Sequence, residues 1–147
     1  MVIDIKKLKS SGKSECSFHF ECELQSDVIT LPDAEFSKPV SVTGRLTLSG
    51  KTVIVEGEIE YVLSAHCSRC LTETEYRAVV EFDEEYSENK EDVDAYIYSK
   101  GLVDLTEMVR EKVILSMPYS VYCKEDCKGL CPVCGINLNE AQCDCNK

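Results

Sequence analysis

Eight of the ten cysteines stand in four closely spaced pairs. The pairs are Cys67/Cys70, Cys123/Cys127, Cys131/Cys134 and Cys143/Cys145. A short spacing lets one turn of backbone direct two sulfur atoms at a single tetrahedral ion, and two such pairs complete a four-cysteine zinc site. The sequence therefore predicts two Zn²⁺ ions held by eight thiolates. Because four cysteines leave no open coordination position, both ions are predicted to be structural.

The segment Cys131-Pro132-Val133-Cys134-Gly135 has the form of a zinc knuckle. Pro132 fixes φ directly after the first ligand. Gly135 can adopt the positive φ that turns backbone amide hydrogens toward the thiolates. The Cys67/Cys70 pair has the same spacing and follows a predicted strand, so we expect a second knuckle that caps a hairpin.

The spacing of the pairs also predicts how they combine. Only eight residues separate the last two pairs, so Cys131, Cys134, Cys143 and Cys145 are expected to form a local site. The pairs Cys67/Cys70 and Cys123/Cys127 would then share the other ion and attach the tail to the hairpin. The swapped arrangement, in which Cys67/Cys70 combines with Cys131/Cys134, stays open.

Two other uses of the cysteines compete with zinc. An even number of cysteines allows a disulfide framework. The first nine residues, however, lack the apolar segment of a secretory signal, although a mature chain could have lost one. A disulfide between Cys143 and Cys145 would be strained. A redox dithiol at Cys67 and Cys70 would be expected to begin a helix in an α/β chain, whereas here strands flank it. Zinc is favoured, and with it a reducing, cytoplasmic compartment.

Catalytic chemistry has few candidate residues. A catalytic zinc keeps an open position and commonly uses histidine, but the chain has only two histidines, His19 and His66. Both fall on polar strand faces. No phosphate-binding glycine loop, dinucleotide fingerprint or Ser-His-Asp set is present in the sequence. The sequence predicts that the protein is not an enzyme.

The net charge is strongly negative, −11 from 27 acids and 16 bases. Two divalent ions and eight thiolates would add four negative charges, giving about −15. Nonspecific phosphate binding depends on Lys and Arg, so a basic partner fits better than naked RNA. Residues 81–94 contain eight acids, which indicate a solvated loop or a docking surface for such a partner. The acids Glu56, Glu58 and Glu60 line one predicted strand face.

Alternating apolar and polar residues predict strands over most of the chain before residue 100. Residues 16–24 place Cys16 and Cys22 on the buried face, where free cysteine acts as a small hydrophobe. Residues 40–48 and 53–65 form a predicted hairpin, and alternation resumes at 76–82. The pair Cys67/Cys70 therefore connects two core strands.

Two shorter strands and one helix complete the expected fold. The strands are residues 2–8 and 95–98. The helix is expected to begin with a capping box of Asp104 and Glu107, to bury Leu105, Met108, Val109 and Val113, and to end before Pro118. The predicted class is mainly β (α+β), an antiparallel, barrel-like sheet with one packed helix.

The predicted domains are a β domain, 1–118, and a zinc module, 119–147, that docks on the knuckle at 67–70. The tail from residue 123 carries few apolar side chains, including Leu130, Val133, Ile136 and Leu138. Burial of so few side chains does not offset the entropy of ordering the tail. The module is therefore expected to need zinc to fold.

Three separated blocks of sequence resemble the YceD family. They are residues 66–71 (HCSRCL), residues 104–105 with 111–118 (DL and EKVILSMP), and residues 127–139 (CKGLCPVCGINLN). The resemblance extends over about residues 15–147, and the cysteine-rich tail resembles the form found in Gram-positive bacteria. The family is known as the large ribosomal RNA subunit accumulation proteins. Its genes commonly lie beside that of a small zinc-ribbon ribosomal protein of the large subunit.

The resemblance implies a cytoplasmic bacterial protein in large-subunit rRNA accumulation and ribosome biogenesis. Together with the negative net charge, the resemblance predicts a non-enzymatic factor that binds a basic ribosomal protein or assembly factor. Any rRNA contact is expected to be limited to a patch near Arg45, Arg69, Arg77 or Lys128. A zinc-dependent protein-interaction adaptor unrelated to ribosomes is the leading alternative. An RNA-processing enzyme is a third, without visible catalytic residues.

Overall fold

A computed structural model describes residues 1–145 of the chain. Its elements, in chain order, are β1 (Val2–Asp4), α1 (Ile5–Ser10), β2 (Glu15–Cys22), a 3-10 turn (Ser26–Val28), β3 (Glu35–Phe36), β4 (Val40–Ser49), β5 (Thr52–His66), β6 (Glu73–Ser87), β7 (Tyr96–Ile97), β8 (Leu102–Asp104) and α2 (Thr106–Ser116). The last two residues of the predicted zinc module, 146 and 147, lie outside the described residues.

One six-stranded sheet carries most of these strands, in the order β2-β4-β5-β6-β7 with β3 added beside β5. The predicted alternation along β5 is confirmed, since Val55, Ile59 and Leu63 are fully buried while Glu56 and Glu58 are exposed. Within residues 1–145 no pairing joins β2 to β7, so the sheet is open and closure into a barrel is not observed. Strand β7 runs parallel to β6, which corrects the prediction of a wholly antiparallel sheet.

A row of four residues crosses the centre of the sheet. Phe18, Gly44, Gly57 and Phe82 stand in register on β2, β4, β5 and β6. A Cβ on Gly57 would lie 2.2 Å from the carbonyl oxygen of Thr43. Both glycines are therefore required by close strand approach, and the two phenylalanine rings cover them.

The N-terminal segment differs from the prediction. Residues 2–8 were expected to form one strand, but only β1 is extended, and it pairs with β8 in a separate two-stranded sheet. Asp4 then caps α1, because its Oδ1 accepts a hydrogen bond of 2.9 Å from the backbone N–H of Lys6. Ile5 and Leu8 are both buried. Their spacing of three residues suits one face of a helix.

The second helix begins and ends close to where the sequence predicts. Asp104 accepts a hydrogen bond of 3.0 Å from the backbone N–H of Thr106. The N-cap position is Leu105, which has no side-chain cap, and Asp104 bonds Thr106 rather than the N–H of Glu107, so within residues 1–145 the predicted capping box does not form. The predicted stripe of Leu105, Met108, Val109 and Val113 is buried, and α2 packs on β6.

The acidic run at 81–94 is not simply a loop. Residues 81–87 belong to β6, so the side chains there alternate between the two faces of the sheet. Glu84 forms an ion pair with Lys112 of α2 and is not free to dock a partner. Within residues 1–145, neither helix has the length and apolar character that crossing a membrane requires.

Candidate metal centre

The turn between β5 and β6 presents the first cysteine pair. The backbone N–H of Leu71 donates to the carbonyl of Cys67 at 2.9 Å, and the N–H of Cys67 donates to the carbonyl of Thr72 at 2.9 Å. Leu71 adopts a left-handed conformation with φ of 59°. This closed turn directs the sulfurs of Cys67 and Cys70 to the same side, and both residues are buried.

Residues 131–136 repeat this turn. The N–H of Gly135 donates to the carbonyl of Cys131 at 2.9 Å, and the N–H of Cys131 donates to the carbonyl of Ile136 at 2.8 Å. Gly135 has φ of 73°, as the sequence predicts. The two cysteine pairs therefore lie on matching knuckles, with Gly135 in the position that Leu71 occupies in the first.

Four cysteines from the hairpin and the tail converge at the first knuckle. We call this group, Cys67, Cys70, Cys123 and Cys127, the inner cluster. Its four sulfur atoms lie within 4.8 Å of one another. The sulfurs of Cys67 and Cys127 are 3.8 Å apart, and those of Cys70 and Cys123 are 3.5 Å apart. Four thiolates at about 2.3 Å from a tetrahedral zinc would be separated by roughly 3.8 Å, so the inner cluster has the size that zinc requires.

The remaining four paired cysteines form the outer cluster, defined as Cys131, Cys134, Cys143 and Cys145. Their sulfurs also lie within 4.8 Å of one another. Cys131 is buried, but Cys134 and Cys145 are exposed. The structure thus assembles the two groups that the spacing predicts, rather than the swapped arrangement.

All ten cysteines are free, so the disulfide framework is not the arrangement adopted. Cys16 and Cys22 are half-buried and pack against the hydrophobic core, as predicted. His66 is exposed on β5, and His19 shares a hydrogen bond of 2.9 Å with Thr43 on the outer side of the sheet. Neither histidine belongs to a cluster of possible metal ligands in the described part of the chain.

The electrostatics of the inner cluster favour a bound cation. Burial raises the pKa of the Cys67 thiol, but backbone N–H groups of Cys123, Arg69 and Cys70 outweigh burial and lower the pKa to about 6. The hydrogen bond with Cys70 is the main reason that the pKa of Cys123 rises to about 12. The hydrogen bond with Cys70 therefore disfavours ionisation of Cys123, and a positive ion at the inner cluster would offset this penalty.

The outer cluster follows the same electrostatic pattern. Backbone N–H groups of Cys134 and Val133 lower the pKa of Cys131 to about 6. The hydrogen bond with Cys134 is the main reason that the pKa of Cys145 rises to about 12. Backbone amides of the knuckle thus stabilise the first thiolate, and crowding disfavours the fourth. Both clusters fit a divalent metal ion with a preference for sulfur ligands.

Groups outside the four ligands surround the inner cluster, and the sequence did not single them out for this role. Arg69 donates from Nη1 to the carbonyl of Cys127 at 3.1 Å, and its guanidinium lies 4.7 Å from the ring centre of Tyr122. Asn139 donates from Nδ2 to Cys127 Sγ at 3.4 Å. Thr72 Oγ1 lies 3.3 Å from Cys70 Sγ, and this hydrogen bond is the main cause that lowers the pKa of Cys70.

Backbone contacts also join the tail to the hairpin. The N–H of Ser68 donates to the carbonyl of Val121 at 2.8 Å, and the N–H of Leu130 donates to the carbonyl of Arg69 at 3.1 Å. Val121 is buried. The tail therefore lies against the knuckle at 67–70, while the domain bounds 1–118 and 119–147 stay a prediction.

The outward side of β5 and β6 concentrates negative charge. Glu56 stands directly opposite Asp83, and Glu58 directly opposite Glu81. We call these four exposed acids the acidic face; they line a groove of about 730 Å³ in which Arg45 is the one base. Arg45 is itself 3.6 Å from Glu15. Like charges on facing strand positions destabilise a sheet. Arg45 stands directly opposite Glu56 on β4 and offsets part of this repulsion, whereas Glu58 faces Thr43 there.

Comparison with known proteins relates most of the chain to uncharacterized bacterial proteins. The sequence is 28% identical to a protein of Mycobacterium leprae over 71% of this chain and 51% of that protein. It is 27% identical to the protein YlbN of Bacillus subtilis over 79% of this chain and 72% of that protein. The chain thus spans about half the length of the mycobacterial relative. No solved structure matches it.

A named relative matches over a shorter segment. The chain is 38% identical over 45 residues to the large ribosomal RNA subunit accumulation protein YCED homolog 1, chloroplastic, of Arabidopsis thaliana, which is 31% of this chain and 14% of that protein. The family model described as large ribosomal RNA subunit accumulation protein YceD matches residues 55–147. This match is shorter than the 15–147 expected, but it covers more than half of the chain and includes both cysteine clusters. The chain therefore belongs to the YceD family.

Proposed function

We propose that this protein is a non-enzymatic factor in large ribosomal subunit biogenesis and large-subunit rRNA accumulation, and that it acts in the cytoplasm. The observation that carries the proposal is the family match over residues 55–147, whose description names large-subunit rRNA accumulation. The structure adds the physical form of the factor, a β sheet with a cysteine-rich tail fixed to one hairpin.

Two structural zinc ions are part of this proposal. The eight candidate ligands are the inner cluster, Cys67, Cys70, Cys123 and Cys127, and the outer cluster, Cys131, Cys134, Cys143 and Cys145. Bound zinc would supply no reaction step, because four thiolates complete its tetrahedral coordination. The ions would instead neutralise crowded thiolates and stabilise a tail with few apolar contacts.

A basic ribosomal protein or assembly factor is the proposed partner. The acidic face supports this choice, since facing carboxylates gain stability when a cationic surface approaches. Of the four basic residues expected near rRNA, Arg69 is held against Cys127 and Tyr122, and Arg77 pairs with Glu60 at 2.8 Å. These contacts favour a limited role for direct rRNA binding.

Co-sedimentation with large-subunit precursors tests the proposal. Tagged protein should migrate with precursor particles, and its depletion should lower mature large-subunit rRNA more than small-subunit rRNA. Neutralising the acidic face with Glu56→Gln, Glu58→Gln, Glu81→Gln and Asp83→Asn should reduce recovery in precursor fractions and flatten its salt dependence. Unchanged migration and salt dependence would contradict docking through this face.

A control with the same charge change tests position rather than net charge. The loop after β6 contains Glu88, Glu91, Asp92 and Asp94. Converting these four acids to the corresponding amides also removes four negative charges but leaves the acidic face intact. This variant is expected to migrate with precursors as the unmodified protein does.

A zinc-dependent interaction adaptor unrelated to ribosomes is the second candidate. The exposed knuckle residues Leu71 and Val133 favour it, because apolar side chains on a rigid turn can contact another protein. Native purification distinguishes the two candidates. Recovery of non-ribosomal proteins, with none of the protein in large-subunit precursor fractions, would support the adaptor.

A further inference from the structure

Asn139 connects the two clusters. In the chain it lies between Cys134 and Cys143, inside the loop that the outer cluster closes. Its Nδ2 nevertheless donates 3.4 Å to the sulfur of Cys127, which belongs to the inner cluster. A residue positioned by one group of ligands therefore contacts a ligand of the other.

Three further hydrogen bonds hold Asn139, two through its side chain and one through its backbone N–H. Its Oδ1 accepts from the backbone N–H of Lys128 at 2.9 Å. Its Nδ2 donates to Asn137 Oδ1 at 2.8 Å, and its backbone N–H donates to the same oxygen at 3.0 Å. The carboxamide is thus fixed in the orientation that directs N–H, rather than C=O, toward Cys127.

A second connection runs parallel to the first. Asn137 Nδ2 lies 3.5 Å from Thr72 Oγ1, and Thr72 Oγ1 lies 3.3 Å from Cys70 Sγ. The backbone N–H of Leu138 also donates to the carbonyl of Gly129 at 2.9 Å. The loop of the outer cluster consequently reaches two of the four inner sulfurs.

We propose that Asn139 is a positioning residue through which metal binding at either cluster strengthens metal binding at the other. The inference rests on the proposed zinc sites and adds a coupling between them. An outer ion closes residues 131–145 and orders Asn139 before the inner cluster binds metal. The N–H donor of Asn139 then holds Cys127 Sγ in position as a ligand without a further entropy loss. Because such coupling is reciprocal, an inner ion must strengthen zinc binding at the outer cluster by the same factor.

The test measures the zinc affinity of each cluster in the reduced full-length chain. Chelator competition sets free Zn²⁺, and the amide signals of Leu71 and Gly135 report occupancy of the inner and outer clusters separately. Four proteins are compared: the unmodified chain, Asn139→Ala, Cys134→Ser/Cys145→Ser, and the combination. Disabling the outer cluster should weaken inner zinc binding about 10- to 100-fold, the usual range for loss of a group that supports a metal ligand.

Asn139→Ala alone should weaken inner binding by a similar factor, and combining it with Cys134→Ser/Cys145→Ser should add little. Asn139→Asp provides a second variant of nearly the same shape without the N–H donor; because it also places a negative charge beside Cys127 Sγ, it should weaken inner binding at least as much as Asn139→Ala. Gln142→Ala is the matched control. It removes an exposed carboxamide from the same loop, one that makes no hydrogen bond within residues 1–145, and should bind zinc as the unmodified chain does.

Two results would overturn the coupling while leaving the zinc sites intact. One is that both Asn139 variants bind zinc at the inner cluster within twofold of the affinity of the unmodified chain. The other is that Cys134→Ser/Cys145→Ser weakens zinc binding at the inner cluster by the same factor in the unmodified chain and in the Asn139→Ala chain. Failure of the unmodified chain to retain zinc at either cluster would overturn the coupling together with the structural-zinc part of the proposed function.

Discussion

The inner and outer clusters share ligands and knuckle geometry but differ in what they hold together. The inner cluster joins cysteines that are 53 and 60 residues apart, and three of its four members are buried. The outer cluster joins neighbours within 131–145, and two of its members are exposed. The inner site is therefore a connection between domain and tail, whereas the outer site organises a loop.

The largest difference is expected when one ligand of each cluster is removed. The apparent binding free energy of a structural zinc is about 10–16 kcal/mol, and it stabilises the folded form of the segment that holds the ion. With excess Zn²⁺, Cys127→Ser should expose residues 121–130 to fast amide exchange, because the tail loses its attachment to the hairpin while the outer cluster still closes its own loop. Cys134→Ser should expose only 131–145. Hydrogen exchange followed by mass spectrometry distinguishes these patterns.

Cys16→Ser serves as the control for cysteine replacement as such. Cys16 is half-buried beside the hydrophobic core and lies in neither cluster. Its substitution should change the stability of the sheet but leave exchange in the tail as it is. Equal loss of protection in Cys127→Ser and Cys134→Ser would show that the two clusters are one cooperative unit.

The second prediction concerns the order of metal loss. Cys134 and Cys145 are exposed, whereas Cys67 and Cys127 are buried. During partial chelation, the outer thiols should be alkylated about tenfold faster than the inner ones, which corresponds to ~1.4 kcal/mol of additional opening. Mass spectrometry of the alkylated peptides gives the order. Early modification of Cys67 or Cys127 would reverse the assignment of the inner cluster as the more protected site.

Much of this contrast was predictable from local sequence. Eight residues between two cysteine pairs define a local site, and strand alternation on both sides of Cys67 and Cys70 defines a hairpin. Both signals depend on residues close together in the chain. The grouping of cysteines and the strands β4, β5 and β6 followed from them.

What sequence did not predict depends on contacts between distant residues. Arg69 is 58 residues from Cys127, and no local pattern distinguishes its guanidinium from that of an exposed arginine. Asn139 was part of a family motif, but its bond to Cys127 needs the folded tail. The sequence predicts a strand over 2–8 where the structure has β1 and α1, because Val2, Ile3, Ile5 and Leu8 are too few to establish a period; the spacing of three between Ile5 and Leu8 in fact fits a helix and not a strand.

The third prediction sharpens the comparison through Arg69, which contacts the inner cluster alone. Arg69→Ala removes a hydrogen bond to the carbonyl of Cys127 and a cation–π contact with Tyr122. The loss should destabilise the zinc-loaded inner site by about 1–2 kcal/mol. Chelator competition should show the change at the inner cluster, with a smaller change at the outer one.

Arg77→Ala is the matched control for this substitution. Arg77 is exposed on β6 and pairs with Glu60 on β5, away from both clusters. Removing a surface ion pair of this kind changes stability by about 0–1 kcal/mol. If Arg77→Ala lowers inner zinc affinity as much as Arg69→Ala does, the contacts of Arg69 have no special role.

The smallest expected effect compares the two knuckles at their equivalent position. Leu71 has φ of 59° and Gly135 has φ of 73°, yet only glycine adopts this region without strain. A left-handed conformation costs a residue other than glycine about 1–2 kcal/mol in the folded state. Glycine avoids that strain, but its greater backbone freedom in the unfolded chain lowers the free energy of unfolding by about 0.4–1 kcal/mol. Leu71→Gly should therefore stabilise the inner knuckle, and Gly135→Ala should destabilise the outer one, each by about 0.5 kcal/mol.

Steric contacts do not obscure this comparison. The Leu71 side chain is 62% exposed, so its removal sacrifices little burial. A Cβ on Gly135 meets no atom within 4 Å.

Zinc affinity should change by about twofold at the altered cluster, in opposite directions for the two variants. Gly50→Ala, at a left-handed glycine in the β4–β5 turn, should lower fold stability without changing either affinity. Tighter or unchanged binding after Gly135→Ala would show that backbone strain does not distinguish the two knuckles.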